Sequence, residues 1–148
     1  MNLHDLKYCS CTLAEGFDSY SPAGLRLLFN RKKVSHILEF NAPRLDEEVA
    51  EKMRQNSKSI SISGAQFKQS LVLDHLKLRL TEPGERGQFI LKPIPIRPPF
   101  AKEDELPANE HLTMQIAKQV FGIRTAECAL VFFHCGEAAD IPKRLDYH

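Results

Sequence analysis

Hydrophobic and polar positions repeat with two different periods along this chain, and the switches between them mark its elements. The clearest two-residue alternation is Ser59-Ile60-Ser61-Ile62-Ser63, with isoleucines on one side and serines on the other. It breaks at Ser63-Gly64-Ala65 and gives way to an apolar run through Leu71-Val72-Leu73, so strands are expected at about 59–63 and 67–74. His75-Leu76-Lys77-Leu78-Arg79-Leu80 alternates apolar against basic and reads as a half-buried strand with its cations in solvent. A turn at Pro83-Gly84-Glu85-Arg86-Gly87 leads to a strand over 88–93, mostly apolar but carrying Lys92 near its end. The run 128–133 is a buried strand, Gly136 a turn, and 138–141 a final short strand.

Helical spacing appears in three places. Ser19-Tyr20-Ser21-Pro22 has the form of an N-terminal cap, followed by a short helix over 23–29. Over 45–55, Leu45, Val49, Ala50 and Met53 share one face, with Glu47, Glu48 and Glu51 outward. Over 109–121 the stripe is Leu112, Ile116, Ala117, Val120 and Phe121, and Gly122 is the stop. A short strand is expected over 34–40 and a turn at Pro43. Between the strand bearing Lys92 and the third helix, Pro93, Pro95, Pro98, Pro99 and Pro107 make a long, stiff, exposed connection. The sum is an α+β fold: an antiparallel sheet with a packed helix and an N-terminal helical extension. The expected division is 1–55 for the extension and 56–148 for the sheet unit.

At 148 residues the chain suits one domain with a core and is too short for a two-lobed enzyme of ordinary size. A net charge of +1 gives no global electrostatic reason to expect nucleic acid or an anionic membrane as partner. The start lacks a basic segment leading into an apolar run, and no apolar run approaches a membrane span, so a soluble, cytoplasmic protein is expected. In that setting Cys9, Cys11, Cys128 and Cys135 are expected as thiols. Cys9 and Cys11 are separated by one residue, which is not the usual zinc-ligand spacing.

Three residues or stretches carry candidate chemistry, each beside an ordinary explanation. The small-residue break Ser63-Gly64-Ala65 is either a hairpin turn or a loop whose amides approach an anion. Lys92 either snorkels to solvent or has a charged partner. Glu110 either complements the dipole of the helix it opens or pairs with a cation. A phosphotransferase needs these parts in this order: a loop over the phosphates, a strand lysine that neutralises them, and a helix glutamate that aims the lysine.

The stretches 61–68, 89–93 and 106–114, with Ile141-Pro142-Lys143-Arg144-Leu145-Asp146 near the end, resemble the HipA-like serine/threonine kinase toxins of bacterial toxin–antitoxin modules. The likeness runs from about 20 to 146 and is greatest to the short, HipT-type kinases. It implies that the sheet unit is a kinase-like small lobe. It implies a phosphate loop of Ser61, Ile62, Ser63, Gly64, Ala65 and Gln66, with Ser61 and Ser63 at autophosphorylated positions. Phosphate there would add charge where ATP phosphates belong. Lys92 would contact the α- and β-phosphates, Glu110 would pair with it, and the backbone at Lys143 and Leu145 would bind adenine.

The resemblance further implies ATP with magnesium, an antitoxin partner and an aminoacyl-tRNA synthetase as substrate of the intact kinase. Two departures matter. Where many relatives have a zinc-binding-looking set, this chain has Cys9-Ser10-Cys11, Ser21 and Gly24, so no zinc is expected. The catalytic aspartate and the magnesium ligands of the family lie in a C-terminal lobe, and no residue here matches them, so no catalytic residue is expected in this chain. It therefore reads as an ATP-binding lobe, inactive alone, that needs a C-terminal kinase lobe. The rival reading is a complete non-catalytic module that binds an antitoxin or a separately encoded catalytic half. A second rival is a small α+β domain whose loop binds no nucleotide.

Overall fold

The computed structural model describes residues 6–42, 68–94, 105–134 and 136–144. Within them the elements are α1 (Pro22–Phe29), β1 (Gln69–Asp74), β2 (Lys77–Leu80), β3 (Phe89–Pro93), α2 (Leu106–Gln119), β4 (Leu130–Phe132) and β5 (Ala138–Asp140). The strands form one antiparallel sheet in the order β2-β1-β3-β5-β4. The fold is α+β, and the succession of three strands, a helix and two strands is compatible with a kinase-like small lobe. No helix among the described residues is long and apolar enough to cross a membrane. The expected helix over 45–55 and strand over 59–63 lie outside the described residues.

Local chemistry explains where the elements begin and end. Ser21 accepts the amide of Gly24 at 3.1 Å, Pro22 follows it, and Asn30 closes α1 in the left-handed region at φ 50°. The β1–β2 register pairs Asp74 with Lys77, leaving His75-Leu76 as a two-residue turn with His75 at φ 53°. The strand expected from His75 therefore begins two residues later, and Leu76 is exposed. The strand expected over 34–40 makes no ladder either. β4 is only three residues long, and Ile37 meets Phe132 in a single parallel bridge flanked by amide–carbonyl bonds of 2.8 and 2.9 Å.

One buried cluster spans the two ends of the described chain. Cys9, Tyr20, Leu28 and Phe29 join Leu71, Phe89, Leu91, Val131 and Ala139. The Phe29 ring lies 5.5 Å from Phe89 and 5.3 Å from Tyr20. Each such side chain contributes roughly 1.5–3 kcal/mol by leaving water, before the entropy of ordering it. Alternation along β3 then sorts its faces: Phe89, Leu91 and Pro93 are buried on the α1 side, and Lys92 faces the other way, toward α2.

α2 departs most from expectation. It begins at Leu106, with Pro107 in the first turn, instead of at 109. Its expected apolar stripe is also turned outward: Leu112 and Ile116 are 46% and 42% exposed, and Val120 and Phe121 just beyond its end are 70% exposed. The buried positions are Pro107, His111 and Gln115. Polar contacts set this orientation, because Glu110, His111, Gln115 and Lys118 all find partners on the sheet side.

Candidate functional site

β3 and α2 bring Lys92 and Glu110 together in an ion pair, with the lysine Nζ donating to Glu110 Oε1. Both are partly buried, their side chains 19% and 32% exposed. Because α2 starts at Leu106, Glu110 lies beyond the first turn, which holds no acidic residue. The dipole explanation for Glu110 therefore fails, and the pairing with Lys92 accounts for it. The snorkelling explanation for Lys92 gives way for the same reason.

The segment after β5 is strapped to the middle of the sheet. Ile90 donates to the Pro142 carbonyl at 3.0 Å and Arg144 to the Gln88 carbonyl at 2.9 Å, around a bridge between Phe89 and Lys143. The Lys143 amide donates to the Glu127 carbonyl at 2.7 Å, and the Arg144 guanidinium to Ser70 Oγ at 2.7 Å. Of the expected adenine-contacting positions, Lys143 thus lies alongside β3, and Leu145 is outside the described residues. The expected loop residues Ser61, Ile62, Ser63, Gly64, Ala65 and Gln66 are outside them too. A cleft of about 420 Å³ beside α1 is lined by Phe29, Phe89, Lys143 and Arg144 among others, and neither Lys92 nor Glu110 lines it.

Beneath the ion pair lies a group that the sequence did not single out. Asp140 is the cross-strand partner of Lys92, so both side chains share the face toward α2. His111 follows Glu110 on α2, and Cys128 lies two residues before β4. His111 Nδ1 is 3.3 Å from Cys128 Sγ and 3.7 Å from Asp140 Oδ1, with all three residues buried. Burial raises the Asp140 carboxyl above its ordinary value, against the pull of His111. Burial first, and then the Asp140 charge, push the Cys128 thiol up to about 12.

The N-terminal thiols differ from Cys128. Cys9 Sγ accepts the amides of Ser21, Thr12 and Cys11 at 3.1–3.4 Å. Burial would raise its pKa, but hydrogen bonds from Ser21 and Thr12 outweigh that and hold it below the ordinary thiol value. At Gly24, a Cβ would stand 3.0 Å from Cys11 Cβ and 3.2 Å from Cys9 Sγ, so there is little room for a side chain.

No family model matches the sequence. A protein of Haemophilus influenzae named "Putative kinase" is 33% identical to the chain over 121 residues. The match covers 80% of this chain and 31% of that protein, so the chain spans about a third of its relative. The relationship is kinase-like. That name carries no substrate, toxin or antitoxin, and those remain matters of proposal.

Proposed function

We propose that this chain is the ATP-binding small lobe of a HipA-like serine/threonine protein kinase of a toxin–antitoxin system. The observation that carries the reading is the Lys92–Glu110 ion pair between the third strand and the following helix. In protein kinases such a lysine neutralises nucleotide phosphates while a helix glutamate holds it in position. Similarity to a protein named as a kinase supports the same assignment.

In this reading the loop 61–66 covers the phosphates, Ser61 and Ser63 are its modified residues, and the backbone at Lys143 and Leu145 receives adenine. Magnesium, the catalytic aspartate and the metal-binding groups act from a C-terminal lobe. An antitoxin restrains the intact kinase, and an aminoacyl-tRNA synthetase is its substrate. The chain alone binds nucleotide weakly and transfers no phosphate, since phosphoryl transfer needs groups positioned from both lobes.

A thermal-shift titration of the 148-residue chain with Mg-ATP tests this. At ten times the dissociation constant the stabilisation is about 1.4 kcal/mol, or roughly 4 °C in Tm. Lys92→Ala is expected to abolish the shift. Absence of a saturable shift in the wild type, or an equal shift in Lys92→Ala, overturns the assignment.

A further inference from the structure

We propose that His111, Cys128 and Asp140 bind one divalent ion of the zinc class, tying α2 to β5 and to the run leading into β4. The donor atoms of the three residues lie within 4.8 Å of one another. With bonds of about 2.0–2.3 Å, donors around a tetrahedral zinc ion stand about 3.3–3.8 Å apart. The His–Cys and His–Asp separations of 3.3 and 3.7 Å fall in that range, and the Cys–Asp separation is within 4.8 Å.

Burial supplies the second, independent observation. Asp140 is 0% and His111 1% exposed, and both Asp140 oxygens are buried without a hydrogen-bond partner. A buried carboxylate in that condition is costly, and a coordinated cation is one of the few things that relieves it. The charges also balance. A divalent ion with one thiolate and one carboxylate is neutral, leaving the adjacent Lys92–Glu110 pair undisturbed. Coordination forms metal–sulfur, metal–nitrogen and metal–oxygen bonds and releases the thiol proton, with that of Asp140 where it is protonated, to solvent.

The donor set decides the metal class. Sulfur and imidazole favour zinc over magnesium or calcium, which take oxygen ligands. Gln115, one turn beyond His111, donates from Nε2 to Cys128 Sγ at 3.7 Å and receives Gln119 at 2.8 Å, an outer contact that steadies a ligating sulfur. The expectation of no zinc was argued from the spacing of Cys9 and Cys11, and this proposal departs from it on other donors. Nor does the proposal rest on the kinase reading, because its readout is metal binding whatever the chain does with ATP.

The test is titration of the metal-free 148-residue chain with Co²⁺, followed by displacement with Zn²⁺ in the presence of a chromophoric chelator. One equivalent of Co²⁺ is expected to give a thiolate-to-cobalt charge-transfer band. Cys128→Ala abolishes the band and weakens Zn²⁺ binding by about 100-fold or more, beyond the loss of an outer contact. Asp140→Asn weakens binding about tenfold or more and retains the band, and a Cys9→Ser/Cys11→Ser double variant leaves both unchanged. If Cys128→Ala does not fold by circular dichroism, His111→Gln and Asp140→Asn decide, with unchanged affinity in both counting against the site. The proposal is overturned if the wild type binds neither ion. It is equally overturned if the band survives Cys128→Ala or disappears with the Cys9/Cys11 variant.

Discussion

Lys92 shows how a single position can be read from sequence and how far that reading reaches. A lysine inside an apolar strand is costly enough to suggest a partner, and Glu110 is that partner. The reason first open for Glu110, its place at a helix start, disappears because Pro107 is inside the helix and not before it. Asp140 was harder to see. It sits in a three-residue strand beside two alanines, and nothing in that context announces a buried carboxylate. His111 and Cys128 lie 17 positions apart, a separation with no motif behind it. The ion pair itself makes a measurable claim. A double-mutant cycle with Lys92→Ala and Glu110→Ala should give a coupling of about 1–2 kcal/mol by urea denaturation, between exposed and fully buried pairs. A coupling near zero would mean that the two charges meet without mutual benefit.

At the scale of elements, period two was a good guide and period 3.6 a partial one. The strands β1, β3, β4 and β5 fall within the expected runs, because alternation and short apolar stretches report burial directly. α2 was found but its facing was inverted. Hydrophobic patterning assumes that the neighbouring surface is apolar, and here the neighbour offers Lys92, Cys128, Asp140 and Glu127 instead. The β1–β2 hairpin adds an electrostatic device that no period reveals. Arg79 on β2 donates to both oxygens of Glu85 at 2.8 and 3.0 Å and to Asp74 at 2.9 Å. Those bonds from Arg79, with the Glu82 amide, hold the Glu85 carboxyl down to about 2. A depressed carboxylate stabilises the fold above its ordinary value of 4.5, and that stability fades as pH falls toward 2. The Tm difference between wild type and Glu85→Gln should therefore close over that window. A difference that stays constant down to pH 2 would detach Glu85 from the effect.

For the molecule as a whole, the expected boundary at 55/56 lies outside the described residues, while Phe29 and Phe89, on either side of it, share one core. That shared core was not legible because sequence periods describe each element alone and not what it packs against. The reverse holds for the apolar residues near the end of α2. They look like core and contribute little to it, so Val120→Ser and Phe121→Ser should each change unfolding free energy by no more than about 0.5 kcal/mol. A loss of several kcal/mol from either would show that this face is covered in solution.

The run 36–40 also has a consequence for self-association. β4 is the last strand on its side of the sheet, and hydrogen bonds linking His36 and Leu38 to Phe132, and Phe40 to His134, shield its open flank. At the other border, β2 carries Lys77, paired with Glu39 of the same run, and Arg79, charges that discourage another strand from adding there. The two borders are thus guarded by different means, one by cover and one by charge. Lifting the run 36–40 off Phe132 would bare the apolar border, and copies opened in that way would join there, strand against strand, into aggregates.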